Sequence, residues 1–287
     1  MIRTGIRDSY YRIYGFDEGI QKIKSHGYDG IDYQAFVNTS NAIFQKTPHE
    51  FKLCMQEKYK KIADLGLIVH QVHGPWRWPI QDATKGERAE RFEKMSRSIE
   101  GAAILGSKYM VIHPLMPFGI DDRGHEKETR EINQEFFGRL CQVGREYEVV
   151  ICLENMPFEN LSISSVPEIL GFVQELNNDF MKVCLDTGHC AIHGGNLSEA
   201  VRILGKQYLH TLHIHDNDGK QDCHAYPFDG LIDWKDFAKA LFEIDFDGVL
   251  SLEVQRKSLP EEIRENDEIE LYRKINSLAK LAKGIVT

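Results

Sequence analysis

Eight times along this chain a short apolar run gives way to a longer amphipathic stretch, and few folds accommodate that rhythm. The apolar runs fall near 2–8, 28–33, 67–73, 109–113, 149–154, 182–186, 209–215 and 248–254. Each is short and rich in Val, Ile, Leu or Tyr, the pattern of a strand buried on both faces of a parallel sheet. Helical periodicity occupies 17–26, 49–65, 86–105, 128–147, 165–177, 197–204, 233–243 and 261–283. Phe51, Met55, Tyr59 and Ile62 trace one such apolar stripe, and Phe92, Met95, Ile99 and Ala103 another. Gly27, Gly66, Gly106 and Gly248 read as helix stops.

Strand–helix units repeated eight times predict an α/β fold, a closed (β/α)8 or TIM barrel. An open doubly wound sheet would normally carry a glycine-rich phosphate loop after its first strand, and the segment RDSYYRIYG at 7–15 is not one. No linker or low-complexity stretch divides the 287 residues, so residues 1–287 are expected to form one domain.

Charge narrows the function. The formal balance is −9, opposite to the basic footprint of a nucleic-acid binder. No apolar stretch has the length of a membrane span, and the N-terminal segment lacks the apolar core of a secretion signal. A cytoplasmic enzyme acting on a small molecule, without nucleic-acid or membrane partners, is the expectation. Cys54, Cys141, Cys152, Cys184, Cys190 and Cys223 form no C-x-x-C pair and read as reduced thiols. A homodimer is the expected assembly, dimers being the commonest outcome.

The chemistry is signalled by position. Catalytic groups of such barrels sit at the C-terminal ends of strands. Here the third run ends in His73, the fourth in His113 and the fifth in Glu154; the sixth ends in Asp186, with His189 close behind. The seventh ends in His213 and His215, and the eighth in Glu253. Strand side chains alternate with period two, so Glu154 shares a face with Cys152, Asp186 with Cys184, and Glu253 with Ser251. Small residues below each acid suit strands crowding toward a barrel axis. Inward carboxylates are costly to bury unpaired, and a divalent cation is the usual remedy. Three carboxylates and an imidazole suit Mn, Co or Mg at least as well as Zn. No organic cofactor is expected.

The strings LEN at 153–155, LDTGH at 185–189, HIHDNDG at 213–219, FDGLIDW at 228–234 and LEV at 252–254, in this order, resemble the xylose isomerase-like barrel superfamily. The resemblance is to its sugar phosphate isomerase/epimerase branch, to which endonuclease IV is related. It implies one metal held by Glu154, Asp186, His213 and Glu253. His213 is preferred to His215 because it opens the H-x-x-D string. His189 resembles the family's substrate-contacting histidine. The endonuclease branch carries three zinc ions, and His73, His113, His189 and the Asp222-Cys223-His224 element resemble its further ligands. His73, His113, His189, His215, Asp222 and His224 are thus candidates for a second metal or for substrate. An arginine typical of ketose 3-epimerases is replaced by Gly219, beside Lys220, and their P-G-x-G turn by Pro227-Phe228-Asp229-Gly230.

The implied activity is isomerisation or epimerisation of a sugar or sugar phosphate. Glu154 and Glu253 would act as the acid–base pair on carbon next to a carbonyl, through an enediolate. His113 and His189 would hold hydroxyls, and Trp76 and Trp78 would cover the sugar's apolar face. A metal-dependent lyase of the inosose dehydratase type and an abasic-site endonuclease are the competing readings.

Overall fold

The computed structural model describes residues 2–284. In chain order its elements are β1 (Arg3–Arg7), α1 (Gly15–His26), β2 (Gly30–Tyr33), α2 (Pro48–Asp64), β3 (Ile68–His73), α3 (Lys85–Ile104), β4 (Tyr109–Ile112), α4 (Glu126–Glu146), β5 (Val150–Glu154), α5 (Val166–Leu176), β6 (Met181–Asp186), α6 (Thr187–Ile192), α7 (Leu197–Tyr208), β7 (Leu209–His213), α8 (Trp234–Glu243), β8 (Val249–Leu252) and α9 (Glu261–Ala282). The eight strands form one sheet in the order β7-β6-β5-β4-β3-β2-β1-β8, and the paired strands run parallel. β7 meets β8 just past its end: Ile214 N donates to Ser251 O at 2.8 Å and Glu253 N to Ile214 O at 3.0 Å. The barrel therefore closes near its C-terminal rim, the end that carries the candidate site.

Local chemistry explains where the helices start. Thr47 and Glu50 form a reciprocal capping box at α2, with Pro48 at its first position. Thr84 with Glu87 and Ser165 with Glu168 repeat the device at α3 and α5. Packing does the rest. Fully buried Ile31, Val72, Met110, Ile151, Val183 and Leu212 lie in the large core shared by sheet and helices. Burying such a side chain contributes about 1.5–3 kcal/mol. A separate small cluster of Val111, Cys152 and Cys184 fills the lumen below the carboxylates, as the parity of the strands anticipates.

Several boundaries differ from the sequence-based expectation. β7 and β8 stop at His213 and Leu252, so His215 and Glu253 stand just beyond them. A 3-10 turn spans Asp8–Tyr14. The short α6 begins directly after β6, because the Asp186 side chain accepts from His189 N and starts a helical turn. α7 continues past 204 to Tyr208, with a non-helical break at Gly205. Gly27, Gly66 and Gly106 have positive φ, as helix stops require, but Gly248 does not. α8 instead ends through Asp245 at φ 53°, and Gly248 lies against the Phe246 ring, where a Cβ would come within 2.5 Å. Among the described residues no helix is long and apolar enough to cross a membrane. The six cysteines are unpaired, and burial raises the thiols of Cys141, Cys152, Cys184 and Cys190.

Candidate metal centre

Strand ends bring Glu154, Asp186, His213 and Glu253 together, each offering a ligand atom within 4.8 Å of the others. His213 is fully buried at the middle. Its Nδ1 lies 2.7 Å from Glu154 Oε1 and 2.9 Å from Glu253 Oε2. Its Nε2 faces Asp32 Oδ2 at 3.1 Å. An Nε2–H donated to Asp32 leaves the Nδ1 lone pair directed at the carboxylate cluster, the orientation of a ligating imidazole backed by a carboxylate. Asp32 is the penultimate residue of β2, and the sequence reading passed over it. The signal was there: parity puts Asp32 on the face of Gly30, just as it puts Glu154 on the face of Cys152.

The electrostatics demand a positive charge at this point. Burial would depress the basicity of His213, but Glu154 and Glu253 beside it outweigh that and hold its pKa well above the usual range. Burial opposes ionisation of Glu154, yet His213 and His113 hold its carboxyl well below the ordinary value. Glu253 is held low against burial chiefly by His213. Without a cation, the His213 imidazolium is the central positive charge among several buried carboxylates, aided by His113 at Glu154 and by Arg7 at 3.6 Å from Glu253. Glu154 Oε2 is buried and makes no well-formed hydrogen bond. His73 Nε2 at 3.4 Å and His113 Nε2 at 3.0 Å converge on that same oxygen. This donor set, oxygen-rich with an orphaned carboxylate lone pair, fits a divalent cation.

A second group lies alongside: His189, His215, Asp222 and His224. Two of its histidines are oriented alike. His189 Nδ1 donates to Asn155 O at 2.7 Å and His224 Nδ1 to Glu253 O at 2.6 Å. Each then turns Nε2 toward Asp222 Oδ2 at 3.3 Å. His73 follows the same rule, with Nδ1 bonded to Gly74 O at 2.9 Å. Burial lowers His189, but Asp186 and Asp222 raise it further, to about 10. His215 is different. It is fully buried, its Nε2 sits 2.9 Å from Asp186 Oδ1, and it does not line the adjoining cavity. Direct substrate contact by His215 is therefore not what this arrangement provides. Its ring rests on Gly188, where a Cβ would come within 2.0 Å, so position 188 admits only glycine.

Both groups open into a cavity of about 310 Å³ at the C-terminal mouth. His73, His113, Glu154, His189, Asp222, His224 and Glu253 line it, with Trp76 and Trp78 on one wall. Trp76 packs edge-on against His113 at 4.5 Å between ring centres, whereas Trp78 is 67% exposed. Arg7 and Gln34, from the ends of the first two strands, also line the cavity and were not anticipated. Gln34 Nε2 donates to Glu253 Oε1 at 3.1 Å, and Arg7 Nη1 stands 3.6 Å from the same oxygen. Together they fix the rotamer of Glu253. Asn155 pins the neighbouring strand end, exchanging 2.8 and 3.0 Å bonds with the Asp186 backbone.

The role of Asp32 is open to direct measurement. Asp32→Asn is expected to leave the barrel folded and to weaken divalent-metal binding about 10- to 100-fold in a chelator-competition titration. Unchanged affinity would show that His213 needs no such support.

Comparison with known proteins identifies the family of the fold. The family model described as xylose isomerase-like TIM barrel matches residues 20–275. An uncharacterized protein of Methanocaldococcus jannaschii is 25% identical over 283 residues, covering 96% of this chain and 90% of that one. A probable endonuclease 4 of Mycoplasmoides gallisepticum is 27% identical over 221 residues, covering 68% and 69%. Among solved structures, a D-tagatose 3-epimerase-like protein superposes with a TM-score of 0.79 at 22% identity, covering 99% of this chain and 100% of that one. The IolI protein with a bound zinc atom superposes at 0.75 and 18% identity, covering 97% and 98%. With 256 consecutive positions under one family model (20 through 275) and the same barrel throughout, the chain belongs to the xylose isomerase-like TIM-barrel family.

Proposed function

We propose that the protein is a divalent-metal-dependent isomerase or epimerase of a small sugar or sugar phosphate. The observation that carries this is the placement of Glu154 and Glu253. They arrive from β5 and from just past β8, flank one imidazole, and both face the cavity. Two carboxylates on opposite sides of a bound sugar can exchange a proton with the same or adjacent carbons. Support also comes from the D-tagatose 3-epimerase-like neighbour and from the zinc in IolI.

Glu154, Asp186, His213 and Glu253 would hold the cation, which would act as a Lewis acid on the charge developing at the sugar's oxygens. The chain's own groups do the remainder. Glu253, its rotamer set by Gln34 and Arg7, takes the proton from the carbon beside the carbonyl. Glu154, oriented by His213 and His113 and held ionised by them, would take up a proton from solvent through the cavity it lines and deliver it to the other face, while Glu253 releases the proton it took to the same cavity, so that the cycle balances. His113 and His189 hold sugar hydroxyls, and Trp76 with Trp78 excludes water from the apolar face of the ring. A homodimer and a cytoplasmic setting, with neither nucleic acid nor membrane as partner, complete the proposal.

Chelation followed by a keto-sugar panel tests it. Metal-stripped protein is expected to be inactive, and Mn, Co, Mg or Zn restored singly should recover turnover on one substrate. Product mass is diagnostic: an epimer or isomer keeps the substrate mass, whereas a dehydratase product is lighter by one water. Full activity after verified metal removal would overturn the reading.

One observation favours a second reading. His189, Asp222 and His224 form a donor set separate from the central carboxylates, and His73 with His113 meets the free oxygen of Glu154. Several donor groups along one cavity are suited to phosphodiester hydrolysis with more than one metal. Incubation of the metal-loaded protein with abasic duplex DNA separates the two, and we expect no cleavage because the net charge of −9 opposes duplex binding.

A further inference from the structure

The opposite, N-terminal mouth of the barrel holds a cavity of about 480 Å³ that the proposed reaction does not use. Its wall is built from the first residues of strands, among them Arg3, Ile68, Tyr109, Leu209 and Val249, and from His70 and Gln71 deeper inside. His70 is 7% exposed, and neither of its ring nitrogens has a partner. Gln71 donates through Nε2 to Asp32 and to Leu212 O, but its Oε1 is buried and unpaired. Thr211, on the same wall, has its Oγ1 buried and unpaired as well. Buried polar atoms are nearly always satisfied, so four orphans on one cavity call for an occupant.

His70 reaches this place by a specific device. Between β2 and β3 the register slips: Ile31 pairs with Val69 and Asp32 with Gln71, leaving His70 as the extra residue of a bulge. Bulges re-aim side chains. The imidazole lies against Gly5 and Gly30, where Cβ atoms would come within 2.3 Å of its Cε1 and 2.9 Å of its Nδ1. Two glycines on adjacent strands thus make room for one buried ring. Burial keeps that ring neutral, with its pKa near 4, so it offers one N–H donor and one acceptor.

The rim is cationic. Among the described residues Arg3 and Lys108 have no ion-pair partner, while Lys206 is engaged by Asp245 and Asp247. A bare anion would suit the rim but could only accept hydrogen bonds, leaving Gln71 Oε1 unpaired. A hydroxyl both donates and accepts, and so answers His70 and Gln71 together. We propose that this mouth binds a small polyol phosphate, with hydroxyls on His70 and Gln71 and the phosphate at Arg3 and Lys108.

The test uses full-length protein with isotope-labelled histidine rings, His70→Gln serving to assign the signal. Glycerol 3-phosphate is titrated, with glycerol and inorganic phosphate as separate arms. The expected result is a saturable shift of the His70 ring signal with glycerol 3-phosphate, at least about tenfold tighter than with either arm alone. Arg3→Ala with Lys108→Ala, both at exposed positions, should weaken binding at least about tenfold. No response at His70 would mean that water alone fills the cavity, and the proposal would fall. It would fall equally if glycerol or phosphate bound as tightly as the ester, or if the double variant bound unchanged.

Discussion

Glu154→Gln is expected to lower turnover by about 10²- to 10⁴-fold while the circular dichroism spectrum and the cooperative melt stay native. The side chain is buried at the meeting point of His73, His113 and His213, and glutamine preserves its volume. What glutamine removes is the charge and the proton-carrying capacity. It also weakens any cation held there, so kcat is to be measured at saturating metal. Glu253→Gln is expected to fall by a similar factor, because Gln34 and Arg7 present that carboxylate to the same cavity. Near-wild-type kcat in either variant on the true substrate would remove the two-carboxylate scheme.

The second large effect is on stability. Arg91 and Asp82 form an ion pair in which both side chains are almost wholly buried. Arg91 Nη2 also donates to His113 O at 3.1 Å, and Asp82 accepts from Met116 N at 3.0 Å. The pair therefore ties the loop before α3 to the loop after β4, and so holds His113 in the site. Arg91→Met leaves the Asp82 carboxylate buried without its partner, which is expected to cost about 3–5 kcal/mol in urea unfolding. Adding Asp82→Asn should recover a good part of this, because the stranded charge is gone. A loss below about 1 kcal/mol for the single variant would show that water reaches Asp82 and that the pair contributes as little as a surface one.

Much of the barrel could be read locally. A strand buried on both faces needs continuous apolar residues, and a helix packed on a sheet needs a stripe at helical spacing. Both are properties of short segments, which is why all eight strands were foreseen within a few residues. The same parity put Glu154, Asp186 and Glu253 on inward faces above Cys152, Cys184 and Ser251. His213 and His215 show the limit of that argument. Parity treats them as equals, yet the fold sends His213 to Glu154 and Glu253 and His215 to Asp186. The difference arises because β7 ends at His213, where the chain crosses to bond with Ser251 and Glu253 of the closing strand.

The order of elements and the inward acids are written into the chain, because each depends on residues a few positions apart. The slip that turns His70 inward, the backing of His213 by Asp32, and the clasp of Arg7 and Gln34 on Glu253 are not. They depend on which segments become neighbours when the sheet closes, and the partners in the last two lie 181, 246 and 219 positions apart (213 − 32, 253 − 7 and 253 − 34). Hydrogen-bond register between strands sets such meetings, and register is a property of the assembled barrel rather than of any one strand.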